Sequence, residues 1–134
     1  MDAHFRSFSK LVLPEAKKMG LCILGMKSMG SGVILKSSTF SAPDCLRCAL
    51  SQPTSVVNTD IDNRQVLDQA IETGSNFKEL NSAELQASLH KSEPAAVKGE
   101  FELFKTTSHF DSTAQHPEWL GPETQKVQQL GSEA

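Results

Sequence analysis

The sequence predicts an α/β fold, the last part of a TIM (β/α)8 barrel. Gly20 to Gly32 reads as an apolar strand entering a Gly-rich loop. Ser55 to Gln69 reads as a second, β-branched strand running into a helix. Two strand–loop–helix units in succession, with polar loops at the strand exits, are the pattern of such a barrel. The third observation is length. The chain has 134 residues, whereas a whole barrel needs roughly 250. The expectation is therefore a partial barrel: roughly the last two strand–helix units, a terminal helix and an irregular tail. Barrels bind ligands at their strand exits, so the two loops are the first places to look for function.

Each element has a local reason. Phe8, Leu11, Val12, Ala16 and Met19 share one face of a helix over residues 5–19, which Pro14 kinks or starts. Gly20 is its stop. Leu21–Met26 is a short apolar run bounded by a glycine and a polar loop, which predicts a buried strand. Ser41 caps a helix from Ala42 to about Leu50, with Pro43 tolerated in the first turn. Pro53 ends that region, and Ser55–Val57 opens the second buried strand. Ile61, Val66, Leu67, Ala70 and Ile71 share a helical face that ends near Gly74. Asn81 and Glu84 form a capping-box pattern ahead of Leu85 and Leu89, so a further helix follows. After Gly99 four aromatics occur without a steady period, which predicts an ordered but irregular tail. Residues 1–121 form one unit, and the polar residues 122–134 read as a disordered tail.

Composition excludes several classes. Net charge is −3 with scattered basic residues, unlike the clustered Lys/Arg face of a nucleic-acid binder. The longest apolar run, Leu21 to Met26, is too short to span a membrane. MDAHFRSF mixes acid and base without an apolar signal region. With three cysteines, the expected compartment is a reducing cytoplasm. Tyrosine is absent altogether.

MDAHFRSFSKLVLPEAKKMG, LCILGMKSMGSGVIL, SVVNTDID and ELFKTTSHFDSTAQHPEWLG together resemble the C-terminal part of the aldo/keto reductase family, in a bacterial-type branch. The resemblance runs from residue 1 to about Gly121. It implies that Leu21–Met26 is the seventh barrel strand, that Ser55–Asn58 is the eighth, and that Met1 falls just after the sixth. It also implies NADP(H)-dependent oxidoreduction of a carbonyl or alcohol. The family's catalytic Asp, Tyr, Lys and His lie on or just after the first four strands, which this chain lacks, and no Tyr is present to protonate a carbonyl. What the resemblance leaves is part of the cofactor site. Lys27, Ser28, Met29, Gly30, Ser31 and Gly32 match the loop along the pyrophosphate. Asn58, Thr59, Asp60, Asn63 and Arg64 fall in or beside the turn under the adenosine phosphate. Gln69 matches a position that meets the adenine edge. Asp60 departs from the family, which has Gly there, and with Asp62 it presents the wrong sign to an anion. Arg64 offers an offsetting guanidinium.

The resemblance implies three forms of the protein: a C-terminal portion of such a reductase, a non-catalytic remnant, or a subunit that completes a split barrel with a missing N-terminal half. The isolated chain is expected to self-associate through unpaired strand edges. Other motifs have plainer readings. Cys45-Leu46-Arg47-Cys48 has redox or zinc spacing, but there is no second ligand pair, and the resemblance implies a helix whose family counterpart packs the core. His109, Asp111 and His116 are metal-ligand types without rigid spacing. Phe104, Phe110 and Trp119 either shape a substrate pocket or anchor the tail, and anchoring is favoured. Ser28 beside Lys27 lacks the desolvation that a nucleophile pair needs.

Overall fold

The computed structural model describes residues 4–107 and 115–116. It is a mixed α/β structure with one two-stranded parallel sheet among the described residues. The N-terminal helical region is two short helices, α1 (Phe8–Leu11) and α2 (Leu13–Lys18), in place of one long one. Val12 closes the first and opens the second. Pro14 lies in the first turn of α2, where its missing N–H costs nothing. Gly20 ends α2 at φ +68°. Leu21 N–H donates to Ala16 O at 3.1 Å and Gly20 N–H to Lys17 O at 3.0 Å, which closes the helix end in a Schellman motif.

Strand β1 (Leu24–Gly25) pairs with β2 (Val56–Val57), with Leu24 opposite Val56 and Gly25 opposite Val57. Both strands are shorter than the sequence predicts, and Gly25 is the one of their four residues that is buried. Leu24 is 66% and Met26 61% exposed, and Leu21 and Val56 are exposed as well. The reason is geometric. Each strand has one neighbour in a two-stranded sheet, so apolar side chains suited to a two-sided core have nothing to pack on.

A parallel pair needs a crossover. Here it consists of the Lys27–Gly32 loop, a 3-10 turn at Ile34–Ser37 and helix α3 (Ala42–Leu50). Helix α3 packs on β2 and on α4 (Arg64–Ser75), and it carries two of the buried apolar residues, Leu46 and Ala49. Helix α4 begins at its cap Asn63, so Ile61 precedes it. Gly74 lies within its last turn, and the helix stops at Asn76. Helix α5 (Ser82–Ala96) starts with the predicted Asn81/Glu84 capping box. The irregular stretch expected after Gly99 contains a short helix, α6 (Leu103–Thr106). Residues 122–134 and the tail aromatics Phe110 and Trp119 lie outside the described residues.

The start of the chain is locked to α6. Lys105, whose side chain is only 2% exposed, lies 3.1 Å from Glu102 and donates to Phe5 O at 2.7 Å. Arg6 donates to Lys105 O at 3.1 Å. Removing one member of a buried ion pair leaves its partner uncompensated. Lys105→Met is expected to destabilise the fold by about 3 kcal/mol. Urea unfolding followed by circular dichroism measures it, and Glu102→Gln/Lys105→Met should recover part of the loss.

The α3 cap yields a pH-dependent prediction. The Ser41 hydroxyl donates to Asp44 Oδ2 at 2.6 Å and the Ser41 N–H to the same oxygen at 3.0 Å. These bonds hold the Asp44 carboxyl below its usual value. A depressed folded-state pKa contributes stability above the unfolded value of about 3.9, and that stability is lost as pH falls through the folded one. Ser41→Ala should therefore cost about 1 kcal/mol at neutral pH. The gap from the parent chain should narrow in acid, as read from urea midpoints at the two pH values.

Candidate functional site

Parallel pairing sends both strands out of the sheet on the same side. The loop after β1 and the turn after β2 therefore meet. Between them and helices α3 and α4 lies a cavity of about 410 Å³. Nine of the residues assigned from the sequence line it: Lys27, Ser28, Met29, Ser31 and Gly32 from the first loop, Asn58, Thr59 and Asp60 from the second, and Gln69 from α4.

Three assigned residues do not line it. Gly30 is turned toward the protein, where an added Cβ would meet Ile34 at 3.2 Å. Asn63 is committed as the α4 cap, its Oδ1 accepting from Val66 N–H at 3.0 Å. Arg64 points along its own helix, with Nε 2.9 Å from Asp68 Oδ1. A guanidinium at the start of an exposed helix finds its partner one turn ahead before it finds one across a cavity.

The structure adds residues that the sequence reading had not assigned. Val66, Ala70 and Thr73 line the cavity beside Gln69. Their spacing of three and four was the available signal, because such residues share one helical face. Pro43 and Leu46 of α3 form the apolar wall, and Asp62 adds a second carboxylate.

The Gly-rich loop spends much of its hydrogen bonding on itself. Gly30 N–H donates to Lys27 O at 2.9 Å, Gly32 N–H to Met29 O at 3.0 Å, and Ile34 N–H to Met29 O at 3.3 Å. Lys27 and Ser31 hold left-handed backbone at φ +57° and +56°, a costly state for residues with a Cβ. Lys27 Nζ donates to Ser31 Oγ at 3.2 Å and stands 3.9 Å from Asp60 Oδ2. The cation is thus engaged from the opposite loop. It is half exposed and bonded to Ser31, which argues against a Ser28–Lys27 nucleophile pair.

These contacts also test the fit of a dinucleotide. The end formed by Gln69, Thr73 and the apolar wall suits an uncharged heterocycle. The loop end does not suit a phosphate while Gly30 and Gly32 donate inward, Asp60 holds Lys27, and Asp62 adds negative charge.

The other sequence motifs fall elsewhere. Cys45 and Cys48 lie on α3 as free, half-buried thiols. Burial, then the neighbouring Cys48, pushes the Cys45 thiol up to about 11, and burial also raises Cys48. Such thiols are protonated at neutral pH and poor nucleophiles. Among the described residues no group of three His, Cys, Asp or Glu could hold a metal ion. His109 and Asp111 lie outside the described residues, and His116 is exposed. Phe104 is half-buried beside Lys105, whose ammonium lies 5.6 Å from its ring centre. No described helix is long and apolar enough to cross a membrane.

Comparison with family models, curated proteins and solved structures finds no match for the chain.

Exposure and protonation together predict thiol order. Cys22 is exposed, whereas Cys45 and Cys48 are half-buried with raised pKa values. N-ethylmaleimide at neutral pH should label Cys22 first, and Cys22→Ser should remove the fast phase. Peptide mass spectrometry after timed quenching reads the order.

Proposed function

We propose that this chain is the C-terminal portion of an aldo/keto reductase-like oxidoreductase and forms one wall of its NADP(H) site. On this reading β1 and β2 are the last two strands of a partial TIM barrel, and the protein is cytoplasmic. The observation that carries the reading is the convergence of Lys27–Gly32, Asn58–Asp60 and Gln69 on one cavity at the exits of two parallel strands. The chain by itself is catalytically silent, because it has no Tyr to serve as the proton donor.

A second form of the same reading is a subunit that completes a split barrel. The exposed Leu21, Leu24, Met26 and Val56 favour it, since apolar strand residues with an open edge seek another strand. On the same reading, such exposure would drive the isolated chain to self-associate.

Within this reading the chain's own residues have separate tasks. Gln69 and Thr73 orient an uncharged heterocycle against Pro43 and Leu46. Lys27 is the loop cation that a phosphate would have to draw away from Asp60 and Ser31.

The test is a chimera that joins a family-typical N-terminal half to this chain, titrated with NADPH by fluorescence. Asp60→Gly removes a like charge near the phosphate and releases Lys27, and should tighten binding by about tenfold. Lys27→Ala should weaken it by a similar factor. Arg64→Ala should have little effect, because Arg64 pairs with Asp68. The unmodified chain without the added half should oxidise no NADPH with any aldehyde. If Asp60→Gly and Lys27→Ala are both silent, the loops do not meet the phosphate and the cofactor assignment fails.

A further inference from the structure

We propose that a second cavity, between α3 and α5, binds a neutral aromatic molecule of about naphthalene size. This inference is independent of the cofactor reading, since it concerns the opposite side of α3.

The cavity measures about 390 Å³, within the range of small-ligand sites. Ile34, Phe40, Leu85, Leu89 and Phe101 supply its apolar lining, together with the thiols of Cys45 and Cys48. It exists because polar pins, and not packed side chains, hold α3 and α5 together. At the start of α5, Arg47 Nε donates to Lys78 O at 2.8 Å and Arg47 Nη2 to Glu84 Oε1 at 3.0 Å. Leu80 N–H donates to Ser51 Oγ at 3.0 Å. Further along α5, His4 Nε2 lies 3.0 Å from Ser92 Oγ. The apolar residues between these pins face a gap.

Charge sets the class of ligand. Among the described residues Arg47 is the only Lys or Arg on the lining, and its Nε and Nη2 are already engaged by Lys78 O and Glu84. Asp44, Glu84 and Glu102 also line the cavity; Glu102 is paired with Lys105, and Lys91, off the lining, sits over the Phe40 ring. Asp44 is held below its usual value by the Ser41 hydrogen bonds, and Glu84 by the Asn81 N–H and then by Arg47, so both are ionised at neutral pH. An anion therefore meets these two carboxylates, the paired Glu102 and a cation that is already engaged. A neutral molecule can rest on the hydrocarbon, ring and sulfur part of the lining and leave the paired polar groups at its edge undisturbed. Apolar cavities of this kind take up uncharged aromatic compounds, and sulfur and ring edges favour an aromatic guest over an aliphatic one.

The experiment uses the full chain and N-phenyl-1-naphthylamine, a neutral probe that fluoresces when bound. Its sulfonated analogue, anilinonaphthalene sulfonate, is the charged comparison. The expected result is saturable binding of one probe per chain, with the sulfonate about tenfold weaker. Bound probe should slow alkylation of Cys45 and Cys48 in mildly alkaline buffer by about tenfold while leaving exposed Cys22 unchanged. Ala95→Phe, which fills the cavity, should abolish the saturable phase. The footprint on the unaltered chain decides the matter even if that variant fails to fold. Leu24→Ser, on the exposed strand, should leave binding intact. The proposal is overturned if the probe does not saturate, if Cys45 and Cys48 gain no protection, or if Leu24→Ser is what removes binding.

Discussion

Parallel pairing of two very short strands organises the molecule. Asn58 N–H donates to Gly25 O at 2.7 Å and Ser55 N–H to Ile23 O at 2.8 Å. These bonds bring residues some thirty positions apart into register, and the chain between them has to cross over through α3. Because the strands run the same way, both exits lie at one end of the sheet. The Gly-rich loop and the Asn58–Asp62 turn are neighbours for that reason alone. The meeting of the two loops depends on this register, since a slip would shift one strand exit relative to the other.

The rest is held more by polar pins than by a core. The described buried apolar residues are Leu13, Leu46 and Ala49. Capping boxes fix the starts of α3 and α5. Arg47 ties α3 to the start of α5, and Lys105 ties the N-terminal segment to α6. Pins fix the spacing of helices without filling the volume between them. That is why α3 has a cavity on each side, and why Ser28, buried where they adjoin, lines both.

The two cavities differ in chemistry although they share a helix. On the loop side, Lys27 stands between Ser31 and Asp60, so the local charge is nearly balanced with carboxylate to spare. On the α5 side several polar groups are spent on one another and most of the exposed lining is apolar. In both places an opposite charge or a capping bond holds the ionisable group before any ligand arrives. Selectivity therefore rests on what a ligand would have to displace.

Local signals were legible in the sequence. Ser41 with Asp44 and Asn81 with Glu84 marked two helix starts, because a cap needs only residues three apart. Gly20 marked a helix end, because a left-handed residue there costs glycine little. Most of the loop-cavity lining could be assigned from residues 27–32, 58–60 and 69. What the sequence could not determine was anything that depends on a partner distant in the chain. The apolar run Leu21–Met26 signalled burial, yet burial requires neighbours on both edges and both faces, and the two-stranded sheet supplies one. Arg64 looked available to a phosphate until Asp68, one turn away, took its guanidinium. Lys27 could be placed in the loop along the pyrophosphate, but only the parallel register brought Asp60 within 3.9 Å of its ammonium. Short-range hydrogen bonding is written in neighbouring residues, whereas burial and charge pairing are set by which surfaces the fold brings together.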